Sequence, residues 1–104
     1  LFQLSTFLGD DAKPGEKVDL LREVTFYNPE HIEAHEQLSS AYDEILNGTK
    51  AINHCIIVQR FLVENKMMKQ LAKSRESLQA LYKKYKMGPE DFRKVITPRK
   101  NYHH

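Results

Sequence analysis

The chain is predicted to be all-α, made of antiparallel helical hairpins followed by a C-terminal helix. Apolar residues recur every three or four positions in one segment after another, the spacing of a helix with one buried face. Clusters of Gly, Pro, Asn and Asp interrupt that rhythm around residues 9–15, 28–29, 47–48 and 88–91, where they favour turns over continued helix. No segment alternates polar and apolar residues for long enough to form a useful strand. The 104 residues, 40% hydrophobic and 29% charged, supply one core and a solvated surface, and are too few for two ordinary domains.

The elements follow in order. Leu1, Leu4 and Leu8 lie on one face of a short helix that stops at Gly9-Asp10-Asp11. Val18, Leu21, Val24 and Phe26 mark a second helix, which ends at Asn28-Pro29 because proline disfavours helical geometry in the residue before it. Pro29 suits the first turn of a third helix, with Asn28 as its cap and Glu30 and Glu33 near its positive end. The buried face of that helix is expected to run through Ile32, His35, Leu38, Ala41, Tyr42 and Ile45. Asn47-Gly48 is read as a left-handed stop, and Thr49 as the cap of a fourth helix that carries Ala51, Ile52, Cys55, Ile56, Val58, Phe61 and Leu62 inward. That helix is expected to end near Asn65, although no Pro or Gly marks the place. Met68, Leu71, Leu78, Leu81, Tyr82 and Tyr85 form the stripe of a fifth. Gly88-Pro89-Glu90-Asp91 ends it and opens a short helix, Thr97-Pro98 ends that one, and a flexible basic tail follows.

A shift of 34 residues lays Leu38, Ser39, Tyr42, Cys55 and Val58 on Leu4, Ser5, Leu8, Leu21 and Val24, with apolar or small character kept at each place. Within 28–65 the order is Asn28-Pro29, His35, Leu38-Ser39, Tyr42, Ala51 and Cys55. This segment resembles the tetratricopeptide repeat, whose pattern is an aromatic, Leu-Gly, an aromatic, then small and bulky residues in the second helix. Small Ser39 and Ala51 would let the two helices approach closely while Leu38 and Tyr42 fill the space between hairpins. His35 and Cys55 depart from the usual bulky residues, Val63 stands where an introductory proline belongs, and a third repeat fails at Ala72, Lys73 and Glu76. The resemblance therefore implies a degenerate or truncated repeat over 1–31 and a full one over 32–65. A capping helix with a short helix covers 66–96, and the tail 97–104. Such arrays bury their faces on neighbours, so upstream repeats, a partner chain or self-association are expected to complete the N-terminal face. The start at Leu1 fits a fragment or a processed chain, and His103-His104 are either native or the remnant of a purification tag.

In that family the first helix of each hairpin lines the binding groove. Carried over, this makes Glu33, Glu36, Gln37, Ser40, Asp43 and Glu44 the groove candidates. Their carboxylates favour a basic or donor-rich protein segment and argue against the family's subtype that clamps acidic tails with Lys, Arg and Asn. A solvated helix face would show the same charge pattern. Charge is also divided along the chain. Residues 1–65 hold five Lys/Arg against eleven Asp/Glu, net −6, and residues 66–104 hold eleven against three, net +8. The basic group comprises Lys66, Lys69, Lys73, Arg75, Lys83, Lys84, Lys86, Arg93, Lys94, Arg99 and Lys100. It could meet an acidic protein surface, the acidic half of a second copy, or nucleic acid phosphates. Tyr82 and Tyr85 sit on the apolar stripe and read as core rather than as stacking platforms for bases.

His31 and His35, four apart, and His54-Cys55 lack a zinc-finger spacing, and His35 and Cys55 point inward in the repeat frame, so neither a metal nor a cofactor is expected. A cysteine in an apolar face is inert as a nucleophile, and no glycine-rich phosphate loop is present. The function expected is a non-enzymatic protein-interaction module, scaffold or adaptor. The alternative is a basic helical domain binding nucleic acid through residues 66–100. A lone cysteine, the absence of a secretory signal pattern and apolar runs far short of about 18 residues point to a reducing, intracellular, cytoplasmic setting without a membrane span.

Overall fold

The computed structural model describes residues 14–98, so the predicted helix over 1–8 and the tail beyond Pro98 lie outside the described residues. Four α-helices run in succession: α1 (Pro14–Tyr27), α2 (Ile32–Glu44), α3 (Gly48–Glu64) and α4 (Met68–Tyr85), followed by a 3-10 turn at Pro89–Phe92. The fold is all-α, with no strand among the described residues.

Val18, Leu21 and Val24 are buried on α1 as their spacing predicts. Phe26 is not: two residues past Val24 a helix has turned about 200°, and Phe26 is 77% exposed. The start of α2 also differs from the predicted one. The Asn28 N–H is still bonded to Val24 O at 2.9 Å, so Asn28 belongs to the end of α1 and does not cap the next helix. Residues 28–31 form a turn closed by His31 N–H to Asn28 O at 3.1 Å. His31 takes the capping role, its Nδ1 accepting from Ala34 N–H at 3.1 Å. The inner face of α2 holds Ala34, His35, Leu38, Ser39, Ala41 and Tyr42. Ile45, predicted to extend this stripe, is 44% exposed because the backbone leaves the helix at that residue.

The α2–α3 join corrects two further expectations. The left-handed residue is Leu46 (φ 60) rather than Asn47 or Gly48, and the cap of α3 is Asn47, whose side chain accepts from Lys50 N–H at 3.2 Å. Gly48 is the first residue of α3. It is small for another reason: a Cβ there would overlap the Tyr85 ring. The same closure recurs at the α3–α4 join. Leu46 N–H and Asn47 N–H reach Asp43 O and Tyr42 O, and Lys66 N–H and Met67 N–H reach Val63 O and Leu62 O, the Schellman pattern that satisfies a helix's last carbonyls. Lys86 (φ 55) ends α4 with Met87 N–H on Tyr82 O at 3.0 Å.

Joins of four, three and three residues leave consecutive helices no choice but to run antiparallel, and each packs on the next. Cross-links between helices run in opposite sequence order. Ser39 meets Ala51 and His35 meets His54, while Cys55 meets Ser74. Ser39 Oγ donates to Ala51 O at 2.7 Å, with Ser39 buried and Ala51 sealed at 0% exposure. This is the close contact expected of two small residues. The central helix α3 buries residues toward α2 and α4 alike, and Leu38, Ile52, Phe61 and Leu62 are almost fully enclosed, each worth about 2 kcal/mol of apolar transfer. Met68, placed on the α4 stripe by sequence, is 57% exposed at the helix start. Beyond α4 the 3-10 turn folds Phe92 back against Tyr82, ring centroids 6.1 Å apart.

Candidate binding groove

Two antiparallel joins in succession bring α2 and α4 side by side, running the same way along one side of α3. Between them lies a groove of about 500 Å³, within the size range of ligand sites. Glu36, Ser39, Ser40 and Asp43 form the α2 wall, Cys55 and Val58 of α3 the floor, and Gln70, Lys73, Ser74, Ser77, Leu81 and Lys84 the α4 wall. Acidic side chains thus stand on one wall and lysines on the other.

One end is latched. Lys84 Nζ lies 2.8 Å from Asp43 Oδ1, and the Tyr85 hydroxyl donates to the same oxygen at 2.5 Å. Hydrogen bonds from Lys84 and Tyr85 hold the Asp43 carboxyl below its usual range. Glu36 has no such partner among the described residues. Burial, and then the neighbouring Glu33, push its carboxyl above the usual range. The Cys55 thiol points to the Ser74 carbonyl at 3.9 Å, and burial raises its pKa. It remains protonated and unreactive.

Of the six groove candidates, Glu36, Ser40 and Asp43 line the groove, at the i, i+4, i+7 spacing of one helix face. Glu33, Gln37 and Glu44 do not. Gln37 and Glu44 each sit one residue, about 100°, round from a lining residue, and Glu33 is a turn before the first. The basic residues are not gathered on one face. Lys73 and Lys84 enter the groove, Arg75 and Arg93 flank α4 elsewhere with Arg60 near Phe92, and Lys83 lies near Met87. Lys69, Lys86 and Lys94 are exposed outside these clefts. Sequence reasoning missed the rest of the α4 wall. Its signal was present in Gln70, Lys73, Ser74, Ser77 and Lys84, a helical stripe of polar residues beside the apolar one.

A second polar constellation lies where α2 meets the opposite side of α3. His35 is 2% exposed; its Nε2 lies 2.8 Å from Pro29 O and its Nδ1 3.0 Å from Nδ1 of His54. The two rings stack at 5.2 Å, and His54 stacks in turn on Tyr42 at 5.6 Å. Burial lowers the pKa of His35, opposed by its hydrogen bond to Pro29 and helped by His31. Burial, then His35 and Lys50, take His54 down to about 4. Among the described residues no group of three or more His, Cys, Asp or Glu is placed to hold a metal ion. No helix among them is long and apolar enough to cross a membrane. Compared with known proteins, the chain matches no family model, no curated protein and no solved structure.

Proposed function

We propose that the chain is a non-enzymatic protein-interaction module, similar to the C-terminal end of a tetratricopeptide array, and that the α2–α4 groove receives a segment of a partner protein. The observation that carries this is the groove itself, acidic along α2 and basic along α4. Support also comes from the alternation of helices. α2 and α4 wall the groove over a floor from α3, whereas the cleft lined by Arg22, Lys50 and His54 is built from α1 and α3 with Tyr42 alone from α2, as expected where the first helix of each hairpin lines a concave face. The presence of Lys73 and Lys84 opposite Glu36 and Asp43 refines the partner. A purely basic segment would meet repulsion from α4, so the segment carries Lys or Arg toward α2 and Asp or Glu toward α4. A buried Cys55 with no second cysteine in the sequence to pair with suits a reducing cytoplasmic setting.

The test is a titration of the ¹⁵N-labelled chain with three synthetic helical peptides: one with Lys and Glu on opposite faces, one with Lys alone and one with Glu alone. The expected result is saturable perturbation of Glu36, Ser40, Lys73 and Ser77, strongest with the mixed peptide. Unperturbed groove residues with all three peptides, together with salt-sensitive retardation of generic RNA by the chain, would replace this proposal with nucleic-acid binding.

A further inference from the structure

On the side of α3 away from the groove, α1, α2 and α3 enclose a notch of about 360 Å³. Arg22, Phe26, Tyr42, Lys50, Asn53 and His54 line it, and no carboxylate does. Among the described residues Arg22 has no ion-pair partner, and Lys50 Nζ rests over the Tyr42 ring, 5.5 Å from its centroid.

The tautomers of the adjoining histidine pair follow from their partners. Pro29 O can only accept, so the hydrogen of neutral His35 is on Nε2, and its Nδ1 offers a lone pair. His54 must then donate from Nδ1, which leaves His54 Nε2 as a bare acceptor. That nitrogen has no hydrogen-bond partner among the described residues, and His54 lines the notch. A proton added to the pair has one place to go, Nε2 of His54, and breaks no hydrogen bond on arrival. The imidazolium formed there lacks a counter-charge. Among the described residues, the titratable and charged groups that line the notch or act on the two imidazoles are Arg22 on α1, His31, His35 and Tyr42 on α2 and its cap, and Lys50 on α3, and none of these is acidic.

We propose that this notch binds a tetrahedral oxyanion, a phosphate or sulfate group either free or at the end of a small ester, between Arg22, Lys50, Asn53 and His54. The guanidinium and ammonium supply charge, and the Asn53 amide supplies a neutral donor. The anion in turn supplies the charge that lets His54 Nε2 take up a proton and become a further donor. Binding is therefore coupled to the uptake of one proton. The site shares no lining residue with the groove, and the proposal stands independently of that proposed function.

The test uses the full chain and sodium sulfate, which does not itself titrate near neutrality, with sodium chloride at equal ionic strength as control. Calorimetric affinity is expected to rise as pH falls from 7.5 to 5.5, by up to about tenfold per pH unit where one proton is taken up. Ring-nitrogen NMR is expected to show His54 becoming doubly protonated on sulfate addition at pH 5.5 while His35 stays neutral. Arg22→Gln and Lys50→Gln, both at exposed positions and so expected to fold, should each weaken binding roughly fivefold (~1 kcal/mol), and His54→Gln should flatten the pH slope. Glycerol 3-phosphate binding more tightly than inorganic phosphate at the same pH identifies an ester ligand, and equal binding a free ion. Sulfate with no saturable effect beyond chloride at pH 5.5, or a response insensitive to Arg22→Gln and Lys50→Gln, overturns the proposal even if the His54 variant fails to fold.

Discussion

On the side of α3 that faces α4, Cys55 and Val58 floor a groove whose walls carry both signs of charge, and an ion pair between Lys84 and Asp43 already closes across it. On the side that faces α1, His54 and Asn53 border a notch with two cations and no acid. The first carries both signs of charge, so an incoming segment must displace Lys84 from Asp43 as well as meet Glu36 and Lys73, which form no ion pair among the described residues. The second gains its missing charge only from outside. The same helix thus offers one surface suited to selecting among segments and one suited to an added anion.

The severest way to break this comparison is Ala51→Arg. Both surfaces depend on α3 lying flush against α2, and a guanidinium forced between Ser39 and Ala51 has neither room nor a partner. We expect a loss of at least about 4 kcal/mol, read as collapse of the cooperative urea transition. Unchanged melting would refute the close-contact account of the hairpin.

Acid is expected to act next, and on the notch side first. His54 has a folded pKa of about 4 against an ordinary 6.5, so between those values the unfolded chain binds more protons. The stabilisation by neutral His54 is complete above about pH 6.5 and is lost as pH falls toward 4, by roughly 3 kcal/mol in all. Urea midpoints at pH 7 and 4.5 measure it, and a flat profile would deny the buried neutral pair.

Gly48→Ala sharpens the groove side. Its Cβ would push the Tyr85 ring aside at a penalty of about 2 kcal/mol, with chemical-shift changes at Asp43 and Lys84 and little at His54. Smallest of all is Tyr85→Phe, which keeps the ring over Gly48 and removes only the hydroxyl bond to Asp43. Because those hydrogen bonds lower the Asp43 pKa, their contribution is present above the ordinary carboxylate range and disappears as pH falls through the folded value. The variant should therefore titrate Asp43 at a higher pH by NMR, with scarcely altered melting.

The helices and the Ser39–Ala51 nesting were legible in the sequence because periodicity and side-chain size act locally. Caps were less so. Asn28 and His31 both lie at the α1–α2 turn, and only the hydrogen bond that keeps Asn28 in α1 decides between them. Gly48 was read as a turn residue because glycine usually marks one, whereas its smallness answers a ring 37 residues further on. The acidic wall followed from the repeat frame, but its apposition to Lys73 and Lys84 depends on the register of α4, where that frame fails. The His35–His54 pair becomes predictable only once Ser39 is set opposite Ala51, since stepping back four residues and forward three along an antiparallel pair brings the imidazoles together.

The helix ends at Leu46, Lys66 and Lys86 fall twenty residues apart, each in left-handed geometry with a side chain attached. An L-residue held there gives up on the order of 1 kcal/mol relative to glycine. Replacing all three with glycine should raise the melting temperature without moving a helix, since the closing hydrogen bonds involve the backbone alone. The molecule therefore holds an untapped margin for thermal hardening at its corners.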